Sequence, residues 1–281
     1  MLVSTNGAVW TDLNETKVFG PGGLGGVSGG GSGFAGLGFV DNKQVLWTSQ
    51  DGLTWQRRAL PDELTQSGAS AANPASIDGA VVLPGVRLES GPTISSASGF
   101  APGAGVHSCA TGTGPDATPI YAPALYDSSD DGASWAAVTL PGAADAIYVS
   151  LSLVRLNDHT LIAIEWYQQG NVGPNWLYWI SSDGSNWKPV SFVPLANFSF
   201  PMALPAHEGG LFYSTMDCPP AGYCHLVLSM YALSADDHIV TLDQAGDIPP
   251  VNPGPGVELA IGPAGVLASD GGSNMWLGAR T

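Results

Sequence analysis

Apolar residues come in short runs punctuated by Gly, Pro, Asn, Asp and Ser along the whole chain. The runs 45–48, 124–126 and 177–180 each end at a serine-led turn. Those at 148–156 and 160–166 flank Asn157-Asp158-His159, and 257–261, 265–268 and 274–279 follow one another near the C-terminus. Runs this short, bounded by turn residues, read as strands rather than helices. None reaches the roughly 18 apolar residues that a membrane-spanning helix needs. The pattern predicts an all-β chain of many short strands.

The turns repeat. Ser49-Gln50-Asp51-Gly52-Leu53-Thr54-Trp55 returns as Ser181-Ser182-Asp183-Gly184-Ser185-Asn186-Trp187. It returns again as Ser128-Ser129-Asp130-Asp131-Gly132-Ala133-Ser134-Trp135, with one residue inserted before the glycine. Ser4-Thr5-Asn6-Gly7-Ala8-Val9-Trp10 is the same pattern with Asn in place of Asp. Glycine supplies a positive φ, the carboxylate can accept turn N–H groups, and the tryptophan opens the next strand. This pattern resembles the Asp-box, or bacterial neuraminidase repeat, of β-propellers.

The resemblance implies a single propeller domain over 1–281, built of four-stranded blades. Tryptophan spacing runs in roughly fifty-residue steps, with one longer interval from Trp55 to Trp135 read as two short units or one with an insertion. Six blades are expected, with five or seven as alternatives. The three C-terminal runs lack a fourth strand, and the chain opens on a turn plus one strand. Joining the two ends in one blade would leave no exposed sheet edge. The resemblance also implies that the box residues, Asp51, Asp130 and Asp183 included, are structural and lie opposite the ligand face.

Composition agrees with strands and turns. Gly 38 and Pro 22 would break helices, and 44% hydrophobic residues argue against disorder. A net charge of −16 from 24 acidic and 8 basic residues repels nucleic acid and anionic membranes, and the cations are scattered rather than clustered. The first twenty residues lack the basic and apolar regions of a leader. With the acidic balance and few lysines, the chain is expected to be the mature part of a secreted or cell-surface protein. Of three cysteines, Cys218 and Cys224 bracket a Pro-Pro and Ala-Gly turn and are expected to pair, while Cys109 is expected to be a buried free thiol. No metal or other cofactor is expected, because no further ligands stand at suitable spacing.

Chemistry is expected on the loops that the box turns do not occupy. The segment 167–176 carries Tyr167, Gln168, Gln169, Asn171 and Trp176; the next such loop runs from Asp217 through the cysteines to Tyr223 and His225. Rings stack on sugar faces and amides bond hydroxyls, although Trp166 and Trp176 could equally fill gaps between blades. The Pro-rich stretch 244–256 is expected to be a rigid inter-blade loop. Glu165 ends an apolar run; such a glutamate is expected to face solvent, whereas a buried one would titrate high and could act as an acid.

Sialidase chemistry is not expected. The family's Arg-Ile-Pro motif is missing, and Arg57 and Arg58 follow Trp55 on an outer strand. The only G-x-S-x-G lies within the Gly-rich run 20–33, which reads as low complexity without a nucleophile-elbow context. The expected function is a binding module for a glycan or a protein. The alternative is a glycoside hydrolase or lyase using carboxylates on the face opposite the boxes.

Overall fold

The computed structural model describes residues 1–3, 8–30, 33–90, 119–157, 159–168 and 175–190, and seven further strands by their backbone alone. The helical pieces among the described residues are one short helix, α1 (Glu15–Phe19), and a 3-10 turn at Asp62–Leu64. Everything else regular is strand.

A hairpin of β1 (Leu2–Val3) and β2 (Thr11–Asp12) opens the chain. The first sheet is β3 (Leu24–Gly30), β4 (Gly33–Val40), β5 (Lys43–Ser49) and β6 (Gln56–Arg58). In the second, β7 (Ser70–Ala71) and β8 (Ala75–Ile77) are two pieces of a broken first strand. Both pair with β9 (Ala80–Ser90), which is followed by β10 (Ile120–Ser128) and β11 (Ala136–Val138). The third is β12 (Tyr148–Asn157), β13 (Thr160–Gln168), β14 (Asn175–Ser181) and β15 (Lys188–Val190). A fourth holds β16 (Met202–Pro205), β17 (Gly210–Asp217), β18 (His225–Leu233) and β19 (Ile239–Ile248). The last has three strands, β20 (Glu258–Gly262), β21 (Gly265–Ser269) and β22 (Met275–Ala279). Such antiparallel meanders in chain order are the blade units of a propeller.

Residues 1–153 with 158–189 form one compact unit, and 154–157 with 190–281 a second. In the first unit the sheets stack face to face. Ala35, Leu37 and Leu46 of the first sheet meet Val81, Leu83, Ala124 and Tyr126 of the second. The opposite face of the second sheet, with Ile77, Val82 and Leu125, meets Leu151, Leu161, Ala163 and Trp179 of the third. A sheet covered on both faces needs apolar residues at consecutive positions. Hence Val81, Val82 and Leu83 do not alternate with polar residues, and all three are buried.

Two expectations are corrected here. The Gly-rich run 20–33 is not low-complexity loop: residues 24–30 are β3 and Gly33 begins β4. Its glycines let two backbones approach, since a Cβ on Gly36 of β4 would sit 2.4 Å from the Gly26 carbonyl oxygen. Residues 244–248 belong to β19, not to an inter-blade loop, because the strand continues pairing to Ile248. For the interval between Trp55 and Trp135, open to two readings, the described residues hold one sheet, β7–β11, with 91–118 outside them.

Candidate functional site

The three Asp-led turns share one hydrogen-bond pattern. In the third, Ser181 Oγ donates to Asp183 Oδ1 at 3.1 Å and accepts the Gly184 N–H at 2.9 Å. Asp183 also accepts the N–H groups of Ser185 and Asn186 at 2.9 and 2.7 Å. Asp51 and Asp130 are held the same way, and the glycines have φ of 72°, 79° and 80° at Gly52, Gly132 and Gly184. Trp55 and Trp187 donate their indole N–H to the glycine carbonyl of their own turn; Trp135, after the inserted Asp131, donates to the carbonyl of Ala59, the residue after β6, at 2.9 Å. These bonds hold the carboxylates ionised. The Asn186 amide and neighbouring N–H groups bring Asp183 down to about 2, Ser134 brings Asp130 down to about 2, and the Thr54 N–H lowers Asp51. Oxygens so occupied are poor acids or bases, and their work is to hold the turn. Of the first box, Ser4, Asn6 and Gly7 lie outside the described residues, and Trp10 is exposed.

At the other end of the third sheet, aromatic rings gather. Trp166 of β13 stands opposite Trp176 of β14, their ring centroids 6.5 Å apart, and Tyr148 of β12 lies 6.5 Å from Trp166. All three are half-buried. Tyr167 alternates to the opposite face and packs beside Tyr121 and Val149, so it does not join them. The strands run further than the sequence indicates: Tyr167 and Gln168 end β13, and Asn175 and Trp176 begin β14. Tyr148 escaped the sequence reading because it begins a first strand rather than standing on a loop.

Glu165 overturns an expectation. It does not face solvent but is 0% exposed, on the same side of β13 as Leu161 and Ala163. The Ala144 N–H, in the segment joining β11 to β12, donates to its two oxygens at 3.1 and 3.4 Å. Burial lifts its pKa to about 7 against the pull of that N–H, and the Asp145 charge adds to the rise. A carboxyl of that pKa can exchange a proton near neutrality.

Gln169, Asn171, Tyr223, Cys109, Cys218 and Cys224 lie outside the described residues. Asp217 and His225 are a cross-strand pair at the facing ends of β17 and β18. Among the described residues no group of three or more His, Cys, Asp and Glu could hold a metal ion, and no helix is long and apolar enough to cross a membrane.

No protein-family model matches the chain, and no curated protein sequence matches it. Among solved structures it is similar to a Penicillium chrysogenum alpha-L-arabinanase complexed with arabinobiose, at 15% identity and TM-score 0.48, over 84% of this chain and 71% of that one. It is also similar to a Fusarium graminearum alpha-L-arabinofuranosidase with arabinobiose, at 13% identity and TM-score 0.47, over 84% and 74%. A Bombyx mori beta-fructofuranosidase in complex with sucrose matches at 12% identity and TM-score 0.44. There, 87% of this chain spans 53% of the insect enzyme, about half its length. No residue role passes to this chain at such similarity.

Proposed function

We propose that this chain is a secreted propeller of the Asp-box type whose function is to bind a glycan at the end of the third sheet opposite the box turns. The Tyr148–Trp166–Trp176 cluster carries the reading. Three half-buried rings give flat faces for sugar C–H groups, and Gln168 ends β13 on the same face as Trp166. In this proposal the five sheets of three or more strands among the described residues are five blades, because the longest tryptophan interval carries one described sheet.

The binding test is a glycan array, with arabinobiose and sucrose among the first probes. Saturable binding that Trp176→Ala abolishes, in a variant that still melts cooperatively, supports the reading; binding unchanged by the variant rejects it.

A second reading is hydrolysis of a glycoside, and Glu165 favours it. A buried carboxyl that titrates near 7 has the protonation state of a general acid. Its enclosure under Ala144 requires the 139–147 segment to open before a substrate could reach it. Turnover of chromogenic glycosides by the wild type, lost in Glu165→Gln, would establish this reading over simple binding.

A further inference from the structure

The outer edge of the second sheet is interrupted. β11 pairs with β10 only from Leu125 to Asp127. The chain then swings away and returns at Ala146, which exchanges backbone hydrogen bonds with Tyr121 at 2.8 and 2.9 Å. Between those two attachments a cleft of about 400 Å³ opens against residues 122–125. Its size falls within the roughly 300–1,000 Å³ range of small-molecule sites. The swinging segment is fixed from behind: the Trp179 indole N–H donates to the Pro141 carbonyl at 2.9 Å, and the Ala144 N–H donates to Glu165. The wall of the cleft is therefore set before any ligand arrives, which lowers the ordering cost of binding.

The lining decides what could enter. An extended peptide could not complete the interrupted strand. The Tyr121 peptide faces this edge, so the Pro123 peptide two residues on faces it too, and proline has no N–H to give. The polar groups come from four elements: Glu63 from the 3-10 turn, Arg87 from β9, Tyr126 from β10, and Thr139 and Asp145 from the segment after β11. Tyr126 is buried and donates its hydroxyl to Glu63 at 2.6 Å. Arg87 is ion-paired with Glu89 and raises the local positive potential at Tyr126. Leu125 and Leu140 supply apolar wall. A cationic ligand would meet Arg87, and an anionic one would meet Glu63 and Asp145. A hydroxyl both donates and accepts, and matches this mixture without a like-charge contact.

We propose that this cleft is a binding site for a neutral, hydroxyl-rich small molecule of the mono- or disaccharide class. It is separate from the aromatic cluster of the third sheet and does not rest on that proposal. The experiment is amide NMR titration with sucrose, maltose and lactose, with arginine and glucuronate as charged probes. The expected result is saturable shifts at Thr139, Ala143 and Asp145 with at least one neutral sugar, weakened about tenfold in both Arg87→Met and Asp145→Asn. Arg87 is 40% exposed and Asp145 lies on the surface, so both variants should keep the wild-type melting profile. Trp176→Ala should leave these shifts in place, which separates failure of this site from failure of the aromatic one. Absence of saturable shifts at these amides, equal shifts in both variants, or stronger shifts with arginine or glucuronate would each overturn the proposal.

Discussion

The Glu165 carboxylate and the Ala144 N–H meet at 3.1 Å inside the first unit, with no solvent exposure of the glutamate. One neutral donor cannot replace the hydration of a full charge, so the protonated form is favoured up to about pH 7. The folded-state value therefore lies above the unfolded one of 4.5, and the folded protein holds a proton that the unfolded chain releases. Below pH 4.5 the two states are alike and the stabilising proton costs nothing. Stability then falls as pH rises to about 7, by about 3 kcal/mol in total. Glu165→Gln keeps an acceptor for Ala144 without the charge. Urea denaturation from pH 4 to 8 should show the variant gaining on the wild type across this window, with parallel curves outside it. Equal pH dependence would mean the glutamate ionises without penalty.

Two glycines with similar φ separate backbone strain from packing. Gly142 has φ 76° with nothing within 4 Å of a built Cβ; Gly184 has φ 80° with Val82 Cγ2 at 2.6 Å. Gly142→Ala should cost about 1–2 kcal/mol, the backbone strain alone. Gly184→Ala should cost about 1–3 kcal/mol more, from overpacking against the second sheet. Melting temperatures of the two variants measure the difference. Equal losses would show that the third turn does not press on its neighbour.

The turns were legible because their chemistry is local: serine, carboxylate and positive-φ glycine act within a few residues of one another. The strand 160–166 was also readable, from a short apolar run bounded by turn residues. What escaped was set by partners far along the chain. Glu165 is buried by a segment about twenty residues earlier that presents Ala144, and no periodicity in β13 announces it. Residues 24–30 look like a linker because the glycines that read as flexible are required by close approach to β4. Trp176 was a candidate and Trp166 was noted beside it as a filler between blades, but Tyr148 joins them only through the pairing of β12 with β13.

Asp183 should act on stability in the opposite sense to Glu165. Its folded value, about 2, lies below the unfolded 3.8, so its contribution is present above pH 3.8 and disappears as pH falls toward 2. The accepting oxygens are largely in solvent, and water can replace part of what is lost. Asp183→Ala should therefore cost about 1 kcal/mol at pH 7 and little near pH 2. Thermal melts at the two pH values test this, and a loss that is the same at both would show that the charge contributes nothing to the turn.

The ring pair of the candidate glycan site can be dissected without knowing the ligand. Trp166 and Trp176 face each other across β13 and β14 at 6.5 Å and 62°, an edge-to-face arrangement. Such pairs couple by about 0.5–1.5 kcal/mol beyond the area they bury. A double-mutant cycle on Trp166→Ala and Trp176→Ala should return a coupling in that range. Both rings are only half-buried, so each single variant should still fold cooperatively. If the rings form a sugar platform, glycan affinity should fall about tenfold or more in either variant, more than the structural coupling alone could explain. Tyr167→Phe provides the control: its ring lies on the other face, in the cluster with Tyr121, and the substitution should leave binding intact. Loss of affinity in Tyr167→Phe with retention in Trp176→Ala would place the ligand on the opposite side of β13.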